Sequence, residues 1–245
     1  MKSVHAADKR AAHDLQRLQS QVVACTRCPR LVEHLGKVAR EKRRMYRDWD
    51  YWGRPLPSFG DPQARVLLLG LAPAAHGGNR TGRMFTGDRS GDWLFGTLHK
   101  FGFASSPDSR HRDDGLTLRD AYITAALRCA PPKNKPLPEE LANCRPYLLR
   151  EFTLLSNVRI VVALGRIAHD TYLQVRKEQG LAVPSPRPRF GHGSVYRFPE
   201  GVTLVGCYHP SQQNTQTGRL TREMFENIFA KIRTMLEGDE AVSNG

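Results

Sequence analysis

Hydrophobic residues in this chain form short continuous runs separated by longer amphipathic stretches. The continuous runs predict strands at 65–70, 121–127, 158–164, 194–198 and 202–206. Apolar residues at helical spacing predict helices at 8–24, 138–155, 165–178 and 220–236, with another beginning near residue 90. Because strands alternate with helices, we expect an α/β fold with a mainly parallel sheet covered on both faces.

The stretch 65–91 combines a strand run with an unusual loop. Glycines stand at 70, 77, 78, 82 and 87, between the strand run and the helix start at Ser90. The loop therefore follows the carboxyl end of a strand, where open α/β sheets hold ligands. It has neither the Gly-Lys-Ser/Thr ending of a phosphate-binding loop nor Gly-x-Gly-x-x-Gly spacing. The pattern indicates a ligand site without naming the ligand; the alternative is a surface loop with ordinary turn glycines.

Composition and charge narrow the class of protein. The chain has 245 residues, of which 40% are hydrophobic and 25% charged, as in ordinary globular domains. No apolar run approaches the roughly 18 residues of a membrane span, and the first 30 residues lack a secretion signal, so we expect a cytoplasmic protein. The net charge of +13 favours a polyanionic partner, either nucleic acid or an anionic membrane surface. A general bias of composition toward solubility is the alternative.

The five cysteines offer a candidate metal centre. Cys25 and Cys28 have the Cys-x2-Cys spacing that lets two thiolates bind one centre, whereas Cys129 and Cys144 stand 15 positions apart. Four such cysteines could hold zinc or an iron–sulfur cluster, or Cys129 and Cys144 could be unrelated buried thiols. Cys207 follows a strand and is typical of a small core residue.

Four motifs resemble those of one enzyme family. The loop Gly70–Arg83 resembles the first motif of the type-5 (B-type) uracil-DNA glycosylases, and 82–87 resembles the base-stacking motif of their iron–sulfur branch. The segment 129–148, with its two cysteines, resembles their second cysteine segment. His-Pro-Ser at 209–211, with the polar tail to 219, resembles their His-Pro-Ser loop.

The resemblance extends from about residue 25 to about residue 235 and carries several implications. It implies a three-layer α/β/α sandwich, as one domain over 1–245 with its core at about 25–236. It implies a [4Fe–4S] cluster on the four cysteines Cys25, Cys28, Cys129 and Cys144. The implied activity is hydrolytic removal of uracil, and of other altered bases such as hypoxanthine and ethenocytosine, from double-stranded DNA. We expect a monomer that acts on the nucleoid.

Residue roles follow from the same resemblance. Phe85 is expected to stack on the flipped base and His209 to stabilise the departing base. Many relatives have Asp or Asn where Ala72 stands, so Asn79, or else His76, is expected to position water. Type-4 relatives have Asn where Ala125 stands. The remaining expected substrate-binding residues are Gly70, Arg83, Ser211 and Arg219.

Two alternatives from other classes remain open. The first is a non-catalytic nucleic-acid-binding protein on the same fold, which the missing polar residue at position 72 favours. The second is a cysteine-rich redox or zinc protein.

Overall fold

Within residues 2–243, which the computed structural model describes (side chains for 9–238), six strands form one sheet in the order β1-β3-β2-β4-β6-β5. They are β1 (Phe59–Gly60), β2 (Val66–Gly70), β3 (Ala121–Ala125), β4 (Ile160–Leu164), β5 (Val195–Arg197) and β6 (Thr203–Cys207). The four inner strands are parallel, whereas β1 and β5 run antiparallel at the two edges. The predicted mainly parallel sheet is confirmed.

The described part of the chain contains eight α-helices. They are α1 (Lys2–Val23), α2 (Pro29–Glu41), α3 (Gly78–Thr81), α4 (Arg89–Lys100), α5 (Pro138–Leu154), α6 (Arg166–Glu178), α7 (Gln212–Gln216) and α8 (Arg222–Ser243). Short 3₁₀ turns lie at Arg44–Tyr46 and Pro132–Asn134. None of the helices in this described range combines the length and apolar composition needed to cross a membrane.

Alternating side chains of the inner strands face two separate hydrophobic cores. Leu68 of β2 packs in the core under α4 and α8, together with Phe95 and Phe229. Its neighbour Leu67 packs in the core under α1, α5 and α6, together with Tyr172. Strands buried on both faces produce the continuous apolar runs seen in the sequence. The expected three-layer α/β/α sandwich is therefore present.

Besides the single turn α3, two helices were not predicted from the sequence, namely α2 and α7. Helix α2 has three buried residues, Leu31, Leu35 and Val38, which stand at helical spacing among charged neighbours. Helix α7 lies within the polar 208–219 loop, where Ser211 caps it by accepting a hydrogen bond from the Asn214 backbone N–H. Burial of one apolar stripe explains α2, and a local cap explains α7.

Residues 42–54, which we call the arm, pack against the loop that follows β2. The Arg80 guanidinium lies 3.9 Å from the Tyr46 ring centroid and 4.0 Å from that of Trp49. The backbone N–H of Trp52 also donates to the Arg80 carbonyl, at 3.1 Å. The arm is thus fastened beside the loop at the end of β2.

Candidate active site

A cleft of about 630 Å³ opens at the carboxyl ends of β2, β4 and β6. Its walls come from 71–74 after β2, 164–168 at the end of β4 and 209–213 after β6, together with residues between 84 and 90. Arg43 of the arm and Asn134 of the second 3₁₀ turn complete the lining. This volume is typical of small-ligand sites.

Phe85 lines the cleft in a backbone conformation that is rare for a bulky residue. Its φ of +52° lies in the left-handed region, which costs an L-residue roughly 1–2 kcal/mol. A Cβ added at Gly70 would lie 2.9 Å from the Phe85 ring, and one at Gly91 would lie 1.9 Å from the Phe85 carbonyl oxygen. The His209 ring stacks on Phe85, with centroids 5.7 Å apart and planes inclined by 29°. Both glycines therefore permit the close packing that fixes this aromatic surface.

His209 stands two residues beyond β6, in the loop that leads to α7. Its carbonyl oxygen accepts hydrogen bonds from the backbone N–H of Ser211 and from Asn214 Nδ2, both at 2.8 Å. Burial lowers the pKa of His209 to about 4, because the cleft wall disfavours the charged imidazolium. At neutral pH the ring is therefore a neutral imidazole with one N–H to donate.

The two polar residues expected to position water, Asn79 and His76, both lie outside the cleft lining. Asn79 is fully buried outside the cleft lining, where its Nδ2 donates to the Ala75 carbonyl at 3.4 Å. His76 also lies outside the lining, with its Nδ1 3.0 Å from the Tyr51 hydroxyl. Asn134, which the sequence analysis did not single out, lines the cleft together with Ala72. The only signal for Asn134 was its place in the proline-rich segment of the second cysteine motif.

The other expected substrate-binding residues lie partly inside and partly outside the cleft lining. Gly70 and Ala125 are register partners at the ends of β2 and β3, so Ala125 lies beside the glycine that contacts Phe85. Ser211 lines the cleft and caps α7. Arg219 lies over the Tyr208 ring, at 4.8 Å from its centroid, outside the cleft lining.

Arg83 is placed differently from a ligand-binding arginine. It is 2% exposed, lies outside the cleft lining and forms an ion pair with Asp114. It also donates to the carbonyl of His111 and lies 4.9 Å from the Phe59 ring centroid. The structure therefore gives Arg83 an internal role in the loop that carries Phe85.

The cleft presents mainly positive charge. Arg43, Arg89 and Arg166 come from three separate elements and line it, and Asp88 is the one carboxylate found among its lining residues in the described range. Burial raises the pKa of Asp88, although the backbone N–H groups of Gly91 and Ser90 at the start of α4 oppose that rise. A basic cleft of this kind favours a phosphate-bearing ligand.

Four cysteines line one cavity, whose lining shares no residue with that of the cleft. They are Cys25 after α1, Cys28 at the start of α2, Cys129, and Cys144 within α5. The backbone N–H of Arg128 donates to Cys144 Sγ at 3.3 Å, and Asn143 Nδ2 donates to Cys28 Sγ at 3.6 Å.

No single-ion site is found among the side chains that the structure describes, those of residues 9–238. Within that range no three His, Cys, Asp or Glu side chains form a group that could hold a metal ion. Burial raises the pKa of Cys144 to about 11 and that of Cys129 further, so both are thiols at neutral pH when nothing is bound. Cys207 is separate from this cavity and fully buried in the core under α4 and α8, as predicted.

Comparison with known proteins identifies the family. The profile of the uracil DNA glycosylase superfamily matches residues 57–233. A Thermus thermophilus protein named type-5 uracil-DNA glycosylase is 50% identical over 222 residues, which cover 91% of this chain and 98% of the relative. Proteins of the same name from Mycobacterium tuberculosis (50% identity; 89% of this chain, 80% of the relative) and Pyrobaculum aerophilum (46%; 86% and 89%) are also similar. The chain therefore belongs to the uracil-DNA glycosylase superfamily and, within it, to the type-5 family.

Proposed function

We propose that this protein is a DNA repair glycosylase that flips uracil out of double-stranded DNA and hydrolyses its N-glycosidic bond. The observation that carries the proposal is the contact between Phe85 and His209 inside a basic cleft. An aromatic surface and a hydrogen-bond donor side by side are what a flipped pyrimidine base requires. Membership of the type-5 family supports the same reaction.

The arginines of the cleft supply the phosphate contacts that base flipping needs. The target base is inaccessible within the stack, and its extrusion costs a few kcal/mol. Phosphate contacts on both sides of the lesion offset this cost without reading sequence. Arg43 belongs to the arm, Arg89 to the start of α4 and Arg166 to the start of α6, so the three can reach different phosphates.

Bond cleavage leaves negative charge on the departing base. Since the pKa of His209 is about 4, its neutral imidazole donates a hydrogen bond to that charge rather than a full proton. The donor is fixed before the reaction, because the surrounding loop is tied down at the His209 carbonyl and by the Ser211 cap. A preorganised donor of this kind typically contributes about 100- to 1,000-fold in rate.

Water positioning is best assigned to Asn134. It carries a polar amide in the cleft lining, whereas Ala72 has no polar atom and both Asn79 and His76 lie outside that lining. An amide is too weak a base to deprotonate water, so Asn134 orients the nucleophile toward the sugar. The oxocarbenium-like sugar formed as the base leaves then reacts with the oriented water.

The pocket is proposed to accept more than uracil. Ala72 lines the cleft, and Ala125 is buried beside Gly70, outside that lining. Both are small, and neither can hydrogen-bond to a base edge. A site without such a group does not leave its own polar atoms unpaired when an analogue enters, so it discriminates weakly. Hypoxanthine and ethenocytosine should therefore be removed as well, and faster from mispairs because unpairing costs less.

The four thiols that line the cysteine cavity match the donor set of a [4Fe–4S] cluster. In a four-iron cluster each of the four cysteines binds a different iron. Cys25, Cys28, Cys129 and Cys144 would hold it, and N–H donors already point to two of the sulfurs. When bound, the cluster supplies iron–sulfur bonds that cross-link α2 to the segment after β3.

The function is tested by single-turnover cleavage of a duplex that carries one uracil. The wild type should release uracil and leave an intact abasic strand, and His209→Ala should be about 100- to 1,000-fold slower with similar DNA affinity. A wild type that binds the duplex without releasing base would instead support the non-catalytic DNA-binding alternative. Iron analysis of anaerobically purified protein tests the cluster separately, and stoichiometric zinc without iron would contradict it.

A further inference from the structure

A buried polar network lies next to Phe85, and the proposed chemistry does not use it. Its members are Arg83, Thr86, Ser109 and Asp114. Thr86 is fully buried, Arg83 is 2% exposed and Ser109 is 8% exposed. Burying this many polar groups is costly unless they are hydrogen-bonded to one another, so the network calls for a physical explanation.

The Thr86 hydroxyl uses its whole hydrogen-bonding capacity. It donates its one proton to the Met84 carbonyl at 3.1 Å. Its two lone pairs accept from Arg83 Nε at 3.2 Å and from the Ser109 hydroxyl at 2.7 Å. Because the Thr86 proton is engaged by Met84, Ser109 is the donor in the second of these contacts.

The bond from Thr86 to Met84 spans Phe85. It joins the side chain that follows Phe85 to the carbonyl that precedes it, and so closes a tight turn around that residue. Phe85 stands at a φ of +52°, a conformation that persists in a bulky residue only where its surroundings hold it. The hydrogen bond from the Thr86 hydroxyl to the Met84 carbonyl can supply that restraint.

Asp114 anchors the network to the 105–116 loop. Its carboxylate pairs with Arg83 and accepts the backbone N–H groups of Arg110, His111 and Leu116, at 2.8, 3.1 and 3.0 Å. Although burial raises its pKa, the bonds from Arg83 and these N–H groups hold the pKa of Asp114 far below its usual range. The anchor therefore stays charged throughout the physiological range of pH.

We propose that Thr86 is a positioning residue, which holds the Phe85 ring in the orientation that stacks on the flipped base. Arg83 and Ser109 orient the Thr86 hydroxyl, and Asp114 fixes Arg83. This inference rests on the proposed function, because it gives the network a role only where Phe85 receives a base. It also explains why Arg83, which stands in the base-stacking motif, is buried away from the cleft.

The test replaces the hydroxyl and keeps the shape. Thr86→Val should slow single-turnover uracil release about tenfold and leave affinity for abasic-site DNA, which carries no base to stack, unchanged. Thr86→Ser restores the hydroxyl and should recover most of the rate. Thr97→Val removes another buried threonine hydroxyl, on α4, and should cleave at the wild-type rate. If Thr86→Val does not fold, Ser109→Ala removes one partner of the same hydroxyl and should slow release in the same direction.

A double-mutant cycle separates positioning from a general structural role. If Thr86 acts through Phe85, adding Thr86→Val to Phe85→Ala should cause little further loss of rate. A full additional tenfold loss in the double variant would overturn the inference, as would wild-type rates in both Thr86→Val and Ser109→Ala. The proposed function fails by a different result, namely no uracil release by the wild type. Normal release by Phe85→Ala would leave that function standing and overturn the inference, because the base would then not depend on the Phe85 ring.

Discussion

Replacing Gly70 by alanine tests the aromatic surface through one added methyl group. Gly70 ends β2, and its φ is not positive, so its backbone conformation suits alanine. The added Cβ would lie 2.9 Å and 3.0 Å from two carbons of the Phe85 ring and 3.8 Å from the Thr124 carbonyl. The change therefore acts on one side chain, the ring of Phe85.

The geometry sets the size of the effect. The 2.9 Å approach is 0.5 Å shorter than the 3.4 Å at which ordinary van der Waals contact begins, so the ring must shift or tilt by at least that much. His209 on its stacked face and Gly91 at its backbone restrict where it can go. Stacking of a base on an aromatic side chain is worth about 1–3 kcal/mol, so its loss should slow cleavage by about 5-fold to about 150-fold.

The assay is single-turnover release of uracil from a duplex, with enzyme in excess. Gly96→Ala is the matched control, because Gly96 lies within α4 and a Cβ there would meet nothing nearer than 4.0 Å. Thermal unfolding of both variants should accompany the rates, since overpacking can cost about 1–3 kcal/mol of stability. Gly70→Ala should remain folded at the assay temperature, bind abasic-site DNA normally and cleave slowly.

A Gly70→Ala enzyme that cleaves uracil at the wild-type rate would refute this reasoning. It would mean either that the ring moves without cost or that the base does not stack on Phe85. Phe85→Ala distinguishes these outcomes, because only the second predicts normal cleavage by that variant as well.

Four further predictions concern other parts of the molecule. Cys25→Ser should lose bound iron and visible colour while Cys207→Ser keeps both; equal iron in the two variants would count against the proposed ligand set. Arg43→Ala should weaken binding to every duplex alike and lower the slope of log affinity against log salt by about one, whereas an unchanged slope would place Arg43 off the phosphates. Ala125→Asn should narrow the substrate range toward uracil, as rates for uracil, hypoxanthine and ethenocytosine would show. Since the pKa of His209 is lowered from 6.5 to about 4, this residue should make folding more stable as pH rises from 4 to 6.5, and pH-dependent unfolding of His209→Ala should lack that contribution.

The inner strands of the sheet could be predicted because the pattern that identifies each strand lies within its own residues. Inner parallel strands are buried on both faces, so each appears as a continuous apolar run, and all four were found. Strand β1 was missed because two residues carry no periodicity, and it exists only through pairing with β3. Helix α2 was missed because the charges of its exposed face outweighed the three buried residues that define it.

The candidate site was predictable where a motif fixes a residue by its neighbours. Phe85 and His209 are 124 positions apart in the chain, yet their motifs placed both in the site and the structure stacks their rings. Asn134 could not be found in this way, and the sequence analysis expected Asn79 to position water instead. Asn79 lies in the glycine-rich loop, but α3 turns it into the interior, whereas a residue from a separate proline-rich segment reaches the cleft. Side-chain direction within a loop depends on tertiary packing, which spacing does not encode.

The cysteine cavity and the cleft are connected through two short segments. Helix α2 begins directly after Cys28 and leads to Arg43, which lines the cleft. Cys129 stands five residues before Asn134, which also lines the cleft. A cluster bound to these cysteines would therefore restrain one phosphate-binding residue and one water-orienting residue at the same time. In this arrangement the proposed cluster would contribute to catalysis through the chain that it holds in place.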